Sequence, residues 1–276
     1  MCGTLEHTMN PDSVAATSTP AALTKRPAAD GETVDEGQHA KSSPAGEVRP
    51  AITEGPTPGP RAVVRPMTAA DLRVTAVLHR ELLPHGLFPL LGERFVVRWH
   101  ETFIRSDAAW AAVATRRDSS DVIGFLLGDI DHRRYLAEVL TGHRRDLLRL
   151  GLWGLLRDPR LAAHFLRTRT VSYARRLLRR TPPAAEARPG AGPTAVLSAV
   201  AVDPAARGSG AGRALVEEFG RVADAAGCVK TMLVTRVGAE GAGDFYGRLG
   251  WEAGTVHRDR DGHLVQTFAR PGPAAR

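Results

Sequence analysis

The residues with the clearest chemical purpose lie late in the chain. Ala195 to Val202 reads AVLSAVAV and is followed by Asp203-Pro204-Ala205-Ala206-Arg207-Gly208-Ser209-Gly210-Ala211-Gly212-Arg213. The apolar, β-branched run is the signature of a strand buried on both faces. Asp-Pro stops it, and Leu215, Val216, Phe219 and Val222 then recur at helical spacing. A strand, a glycine-rich turn and a helix form an anion site. Glycines let the backbone approach closely, several N–H groups converge, and the helix start adds about half a positive charge. Two phosphate readings do not fit. A mononucleotide P-loop requires GxxxxGK[ST], and no Lys stands here. The dinucleotide fingerprint is GxGxxG in an early unit, whereas this turn is GxGxG and late.

Other reactive side chains are sparse. Cys2 and Cys228 cannot build a disulfide framework, and no CxxC or His/Cys cluster offers a zinc site. Cys228 follows Gly227 just before an expected strand, where a small buried residue belongs. Glu81, His85, Glu93, His100 and Glu101 fall on two early helices and read as solvated surface groups. Asp129, Asp131 and His132 are closer together, yet a strand-ending turn explains them as well.

The elements that must position these residues follow from pattern. Residues 61–66 open with a short strand. Thr68 caps a helix through Leu72 and Val77 to Leu83, with Asp71 as the reciprocal acid. A second helix is predicted from Leu90 to Ile104. Trp110–Arg116 and Asp121–Gly128 read as a hairpin closed by 117–120. Tyr135 to Arg180 favours helix throughout, and Thr181-Pro-Pro begins a flexible linker, 182–193. Lys230–Thr235 is a further strand.

Composition sorts the 276 residues into parts. Residues 1–60 hold eight of the nineteen prolines, no aromatic residue and a net charge of −4. Such a stretch cannot bury enough surface to order itself and is expected to be a disordered, dispensable tail. The chain's net +7 then leaves +11 on the remainder. Most of it lies in 132–181, where thirteen arginines face three carboxylates. With three lysines against 34 arginines, the usage fits a high-GC bacterial genome, so single arginines carry little information.

The string Val202-Asp203-Pro204 through Arg207-Gly208-Ser209-Gly210-Ala211-Gly212 resembles the acetyl-CoA-binding motif of the GNAT superfamily of acyltransferases. Ala242-Gly243-Asp244-Phe245-Tyr246-Gly247-Arg248-Leu249-Gly250-Trp251 is similar to that family's A-x-x-F-Y-x-x-x-G-[FW] block. The likeness covers about 61–131 and 194–270, and Ala239 stands where family members often carry Asn. It implies an α/β (α+β) fold: a mixed, mostly antiparallel sheet flanked by helices and splayed between its fourth and fifth strands. The domain would run from 61 to 272, with 132–181 as a basic helical insert after the third strand. By the same resemblance, Val200 and Val202 would pair with the pantetheine arm of acetyl-CoA, the cosubstrate. Arg207, Gly208, Ser209, Gly210, Ala211, Gly212 and Arg213 would hold its diphosphate, and Tyr246 would protonate the departing thiolate. The activity implied is acetyl transfer to an amine of an unidentified small molecule or protein. Many members place a glutamate early in the fourth strand as base. Val196 to Ser198 occupy those positions here, so no base is assigned.

The competing reading takes the insert as the working part, an anionic-membrane or nucleic-acid binding module. Leu147 to Leu156 is apolar nearly all round, which suits burial on the domain or partial immersion in lipid. Aromatics are too sparsely interleaved for specific nucleic-acid recognition. The N-terminus has no signal-peptide pattern, and no apolar run approaches the ~18 residues of a membrane span. A cytoplasmic protein, with a peripheral membrane contact or a homodimer left open, is the expectation.

Overall fold

The computed structural model describes residues 62–166, 192–238, 242–259 and 261–273. The expectations for 1–60, for 167–180, for most of 182–193 and for Ala239 concern residues outside these. Seven strands form one sheet in the order β1-β2-β3-β4-β5-β7-β6: β1 (Ala62–Pro66), β2 (Ala109–Arg116), β3 (Val122–Asp129), β4 (Thr194–Val202), β5 (Lys230–Arg236), β6 (Glu252–Arg258) and β7 (Leu264–Pro271). Among the described residues β4 and β5 are the one parallel pair. The mixed, mostly antiparallel sheet matches the expected fold.

One face carries α1 (Leu72–Leu82), α2 (Leu87–Leu90) and α3 (Glu93–Arg105). The other carries α7 (Ala211–Ala225), and α8 (Gly243–Arg248) lies beside β6 and β7. The capping box forms as predicted: the Thr68 N–H donates to Asp71 Oδ2 at 2.8 Å, and Arg65 clamps both oxygens of that carboxylate at 2.7 Å. These bonds, led by the Arg65 contact, hold the Asp71 pKa down to about 2. The helix expected from Leu90 to Ile104 starts only at Glu93, after Gly92 at φ +99°, and Leu90 instead ends the short α2.

The insert is helical but segmented. It begins earlier than predicted, with α4 (His132–Glu138) capped by Asp131, whose carboxylate accepts the Arg134 N–H at 3.1 Å. A π-helical turn (Val139–His143), α5 (Arg144–Arg157) and a helix described over 159–166 (α6) follow. Helix α5 lies close against α3. A Cβ on Gly154 would stand 2.6 Å from the Leu91 carbonyl oxygen, so only glycine permits this approach. Arg98 of α3 pins the two together, donating to Glu101 and Asp146 at 2.6 Å each.

His100 departs from the expected surface position. It is fully buried between α1 and α3, with His79 beside it. His100 Nδ1 meets Thr75 Oγ1 at 3.0 Å, and its Nε2 meets His79 Nδ1 at 3.1 Å; both rings pack on Phe125 of β3. The helical period does place His79 and His100 inward, and their mutual hydrogen bonding satisfies most of their polar atoms. Burial lowers both pKa values, His79 to about 3, so both are neutral in the folded protein.

An imidazole with a depressed folded pKa stabilises the protein fully above its unfolded value near 6.5, and that contribution is lost as pH falls. Asp129, raised to about 6, works in the opposite direction below that pH. The two imidazoles outnumber the one carboxyl, so unfolding takes up protons and stability falls as pH drops below about 6. Denaturant unfolding at pH 7.5 and pH 4.5 is expected to show this loss, and His79→Phe should flatten the slope. A pH-independent midpoint would exclude it.

Candidate active site

Strand β4 pairs with β3 along its length, from Val202 opposite Gly124 to Val196 opposite Asp129. With β5 it pairs over three residues only, Thr194 to Val196 against Lys230 to Met232. After that the two strands part, while β5 continues beside β7 to Arg236. The ladder with β3 is also irregular between Leu127 and Gly128, where Ser198 is left over on β4. A wedge therefore opens between β4 and β5, with Ala199, Val200 and Ala201 buried along one wall.

The glycine-rich turn lies at the wedge's mouth. Asp203 accepts the Ala205 N–H at 2.8 Å and opens a 3-10 turn, Pro204–Ala206, that leads away from β4. Gly208 and Gly210 both adopt φ +79°, a left-handed conformation that residues with a Cβ resist. Gly210 caps α7, and Ser209 Oγ accepts the Ala211 N–H at 3.3 Å. The remaining N–H groups of the first turn have no intrahelical acceptor, as at any helix start. Arg207 and Arg213 are exposed beside them, the latter paired with Glu217 at 2.7 Å. The Cβ direction of Gly212 points between Val202 and Phe245, 3.5 and 3.7 Å away. The position is bare where the two walls meet, and the donor set suits a diphosphate.

Across the wedge, α8 starts where Thr235 Oγ1 at the end of β5 accepts the Ala242 N–H at 3.2 Å. It carries Tyr246 into the core shared by β4 and α7. Tyr246 is 1% exposed, its ring set against Phe245, Trp251 and Phe268 at 5.2 to 5.9 Å. The fold thus places Val200 and Val202 on β4, the 207–213 turn shortly after it, and Tyr246 in the core cluster that also holds Val200 and Ala211.

On the opposite face lies a pair whose chemistry the sequence leaves unassigned. Side chains alternate along a strand, and a Cβ on Gly128 would strike Phe219 of α7, so Asp129 faces the α1/α3/α4 side. Asp129 is fully buried opposite Val196, where β4 and β5 part, and its carboxylate lies 3.1 and 3.2 Å from His132 Nδ1. The His132 side chain is 17% exposed, so the dyad runs from the interior to the surface. Burial raises the Asp129 pKa to about 6, partly offset by the His132 contact. The spacing Asp-x-x-His, with a helix beginning at His132, was the available signal; only the β3–β4 register shows where it sits. Nearby, Tyr135 and Thr102 share a 2.7 Å hydrogen bond, and burial raises the Tyr135 pKa well above its usual value.

The remaining early candidates are structural. Glu81 and His85 are exposed, Glu93 meets Arg73 at 3.3 Å, and Glu101 is held by Arg98 and Arg105. Cys228 is buried against the Ile130 carbonyl at 3.1 Å, its thiol pushed up to about 11 by burial. Among the described residues no group of His, Cys, Asp or Glu could hold a metal ion, and no helix is long and apolar enough to cross a membrane.

Residues 84–251 match the sequence profile of the acetyltransferase (GNAT) family. No match was found among curated proteins. Among solved structures, SsHAT is 22% identical, covering 77% of this chain and 98% of its own, with a TM-score of 0.50. NAA60 of Arabidopsis thaliana, solved in complex with acetyl-CoA, is 14% identical over 76% and 98% of the two chains, with a TM-score of 0.47. The histone acetyltransferase HPA2 and related acetyltransferase of Corynebacterium glutamicum is 20% identical over 77% and 97%, with a TM-score of 0.45. These likenesses are of fold; the profile match spans well over half of the chain, and with it the protein belongs to the GNAT family of acetyltransferases, whose cosubstrate is acetyl-CoA.

Proposed function

We propose that this chain transfers the acetyl group of acetyl-CoA directly to an amine of a small molecule or a protein. The observation that carries the reading is the parting of β4 from β5 after Val196, beside the glycine-rich start of α7. A slim acylated arm fits such a wedge, and the turn at its mouth provides N–H groups, a helix start and two exposed arginines for a diphosphate. Bound there, acetyl-CoA supplies an acyl group activated as a thioester. Val200 and Val202 align the arm, and a β4 N–H polarises the thioester carbonyl.

The protons are handled on both faces. An acceptor ammonium gives one proton to the His132 imidazole, whose charged form Asp129 supports and whose orientation it fixes. The freed lone pair forms the C–N bond, the C–S bond breaks, and the Tyr246 hydroxyl protonates the sulfur. The surplus proton on nitrogen then restores the phenol. Cys228, held as a neutral thiol, supports direct transfer over an acetyl-enzyme.

An acceptor screen that follows release of free CoA thiol tests the reading as a whole. Amine-dependent release is expected, and its absence together with no acetyl-CoA binding by calorimetry would overturn it. Gly212→Asp places a carboxylate at the wedge mouth in a position where a Cβ makes only ordinary contacts. It should weaken acetyl-CoA binding more than about tenfold with little change in melting temperature.

Tyr246→Phe keeps the ring packing and removes the proton donor. Single-turnover rates should fall about 10- to 1000-fold with acetyl-CoA affinity within a few-fold of wild type. Wild-type rates would leave Tyr246 as a packing residue.

Asp129→Asn is nearly isosteric and is expected to lower kcat about 100-fold with acetyl-CoA affinity unchanged. Activity of the wild type should rise with pH through about 6, as the dyad loses its proton, and this limb should move in the variant. An unaltered pH profile would remove the dyad from proton transfer.

A further inference from the structure

We propose that the outer face of α5 is a docking surface for an anionic lipid bilayer. Helix α5, RRDLLRLGLWGLLR, turns Gly154 and the half-buried Leu147, Leu150 and Leu155 toward the domain, and still leaves large apolar side chains in water. Leu148 and Leu152 are each 59% exposed, Trp153 52% and Leu156 69%. At 100° per residue these four fall on one side of the helix; Arg145 and Arg149 fall among them and Arg157 at the edge next to Trp153, all three exposed. The Arg157 guanidinium lies 4.9 Å over the Trp153 ring.

Asp146, the one carboxylate of α5, stands at the edge of this face beside Trp153, half-exposed and paired with Arg98. Asp158 just beyond the helix end caps α6 through the Arg160 and Leu161 N–H groups. Trp153 and Arg157 also wall a groove of about 660 Å³ between α5 and α3, lined by Leu91, Phe95 and Leu150 with Arg94 at its rim.

The residues around the exposed leucines define the partner. A bilayer interface offers apolar depth for the three leucines, a headgroup layer for the indole, and anionic charge for the arginines. Nucleic acid would neutralise the arginines but leave the leucines bare. A second copy of the same face would bring like charges together. The chain's own acidic segment, 1–60, has no aromatic residue and only scattered aliphatic ones to cover them.

The test uses the full chain without acetyl-CoA, so its outcome is independent of the acetyl-transfer reading. Co-sedimentation with vesicles of mixed phosphatidylcholine and phosphatidylglycerol is expected, weakening at least about tenfold from ~0.1 to ~0.5 M salt. Replacing Arg145, Arg149 and Arg157 by Gln should cost about 100-fold in vesicle affinity. Replacing Leu148, Leu152 and Leu156 by Gln should abolish binding at every salt concentration. An unchanged melting temperature would show both variants to be folded. Equal binding to pure phosphatidylcholine, no vesicle binding, a leucine variant that binds like wild type, or capture of duplex DNA that the leucine changes leave intact would each overturn the proposal.

Discussion

Two parallel strands that hydrogen-bond over their whole length leave no space between them. Strands β4 and β5 share three residue pairs, and the proposed acetyl transfer depends on their separating after that. The separation is tolerable because each strand is held firmly on its other side, β4 by β3 and β5 by β7. Neither needs its inner edge to stay folded. What is lost in ladder hydrogen bonds is available to a ligand arm that pairs like a strand. The turn after β4 then delivers the start of α7 to the mouth of the opening, so the arm and the anionic end of one ligand meet a continuous surface.

The two faces of the sheet hold different groups. Tyr246 lies in the core on the side of α7 and α8, and Asp129 with His132 faces the side of α1, α3 and α4. On the α1/α3/α4 face burial acts with opposite results for different groups. It keeps His79 and His100 neutral and raises the Asp129 pKa to about 6, because in each case the charged form is the one that loses hydration. The histidine pair turns that effect to structure, cross-bracing α1 and α3 under Phe125. Asp129 is coupled to a partly exposed imidazole, which gives its proton a way out.

The insert is anchored where it matters to the domain and unsatisfied elsewhere. Gly154 allows α5 to approach Leu91 just ahead of α3, Arg98 fastens it, and α6 reaches the turn between β6 and β7, where His164 Nε2 meets Asp261 at 2.9 Å. A helix fixed on one face by a glycine and an ion pair presents its other face rigidly. That rigidity distinguishes exposed leucines on α5 from apolar residues scattered singly over a surface.

The run AVLSAVAV, the Asp-Pro stop and the glycine spacing from Gly208 to Gly212 state a buried strand, a tight turn and a helix start, because each depends on the residue's own backbone and its near neighbours. Local pattern also supplied the Thr68–Asp71 box and the hairpin of β2 and β3. Local pattern could not tell that the helix expected over Leu90 to Ile104 starts only after Gly92, nor that His100 is buried. Whether a polar group on a helix meets water depends on which element covers it, and His100 is covered by His79, twenty-one residues away, and by Phe125 on another strand. The same holds for Asp129. Its spacing to His132 is local, but its place beside Val196 is a matter of strand register, set only when β3 and β4 pair across the whole insert. The sequence by itself determined the glycine-rich turn and the family; the tertiary structure alone decided where β4 leaves β5, which carboxylate stands there, and which side of α5 stays in water, because pairing and burial belong to contacts between distant segments.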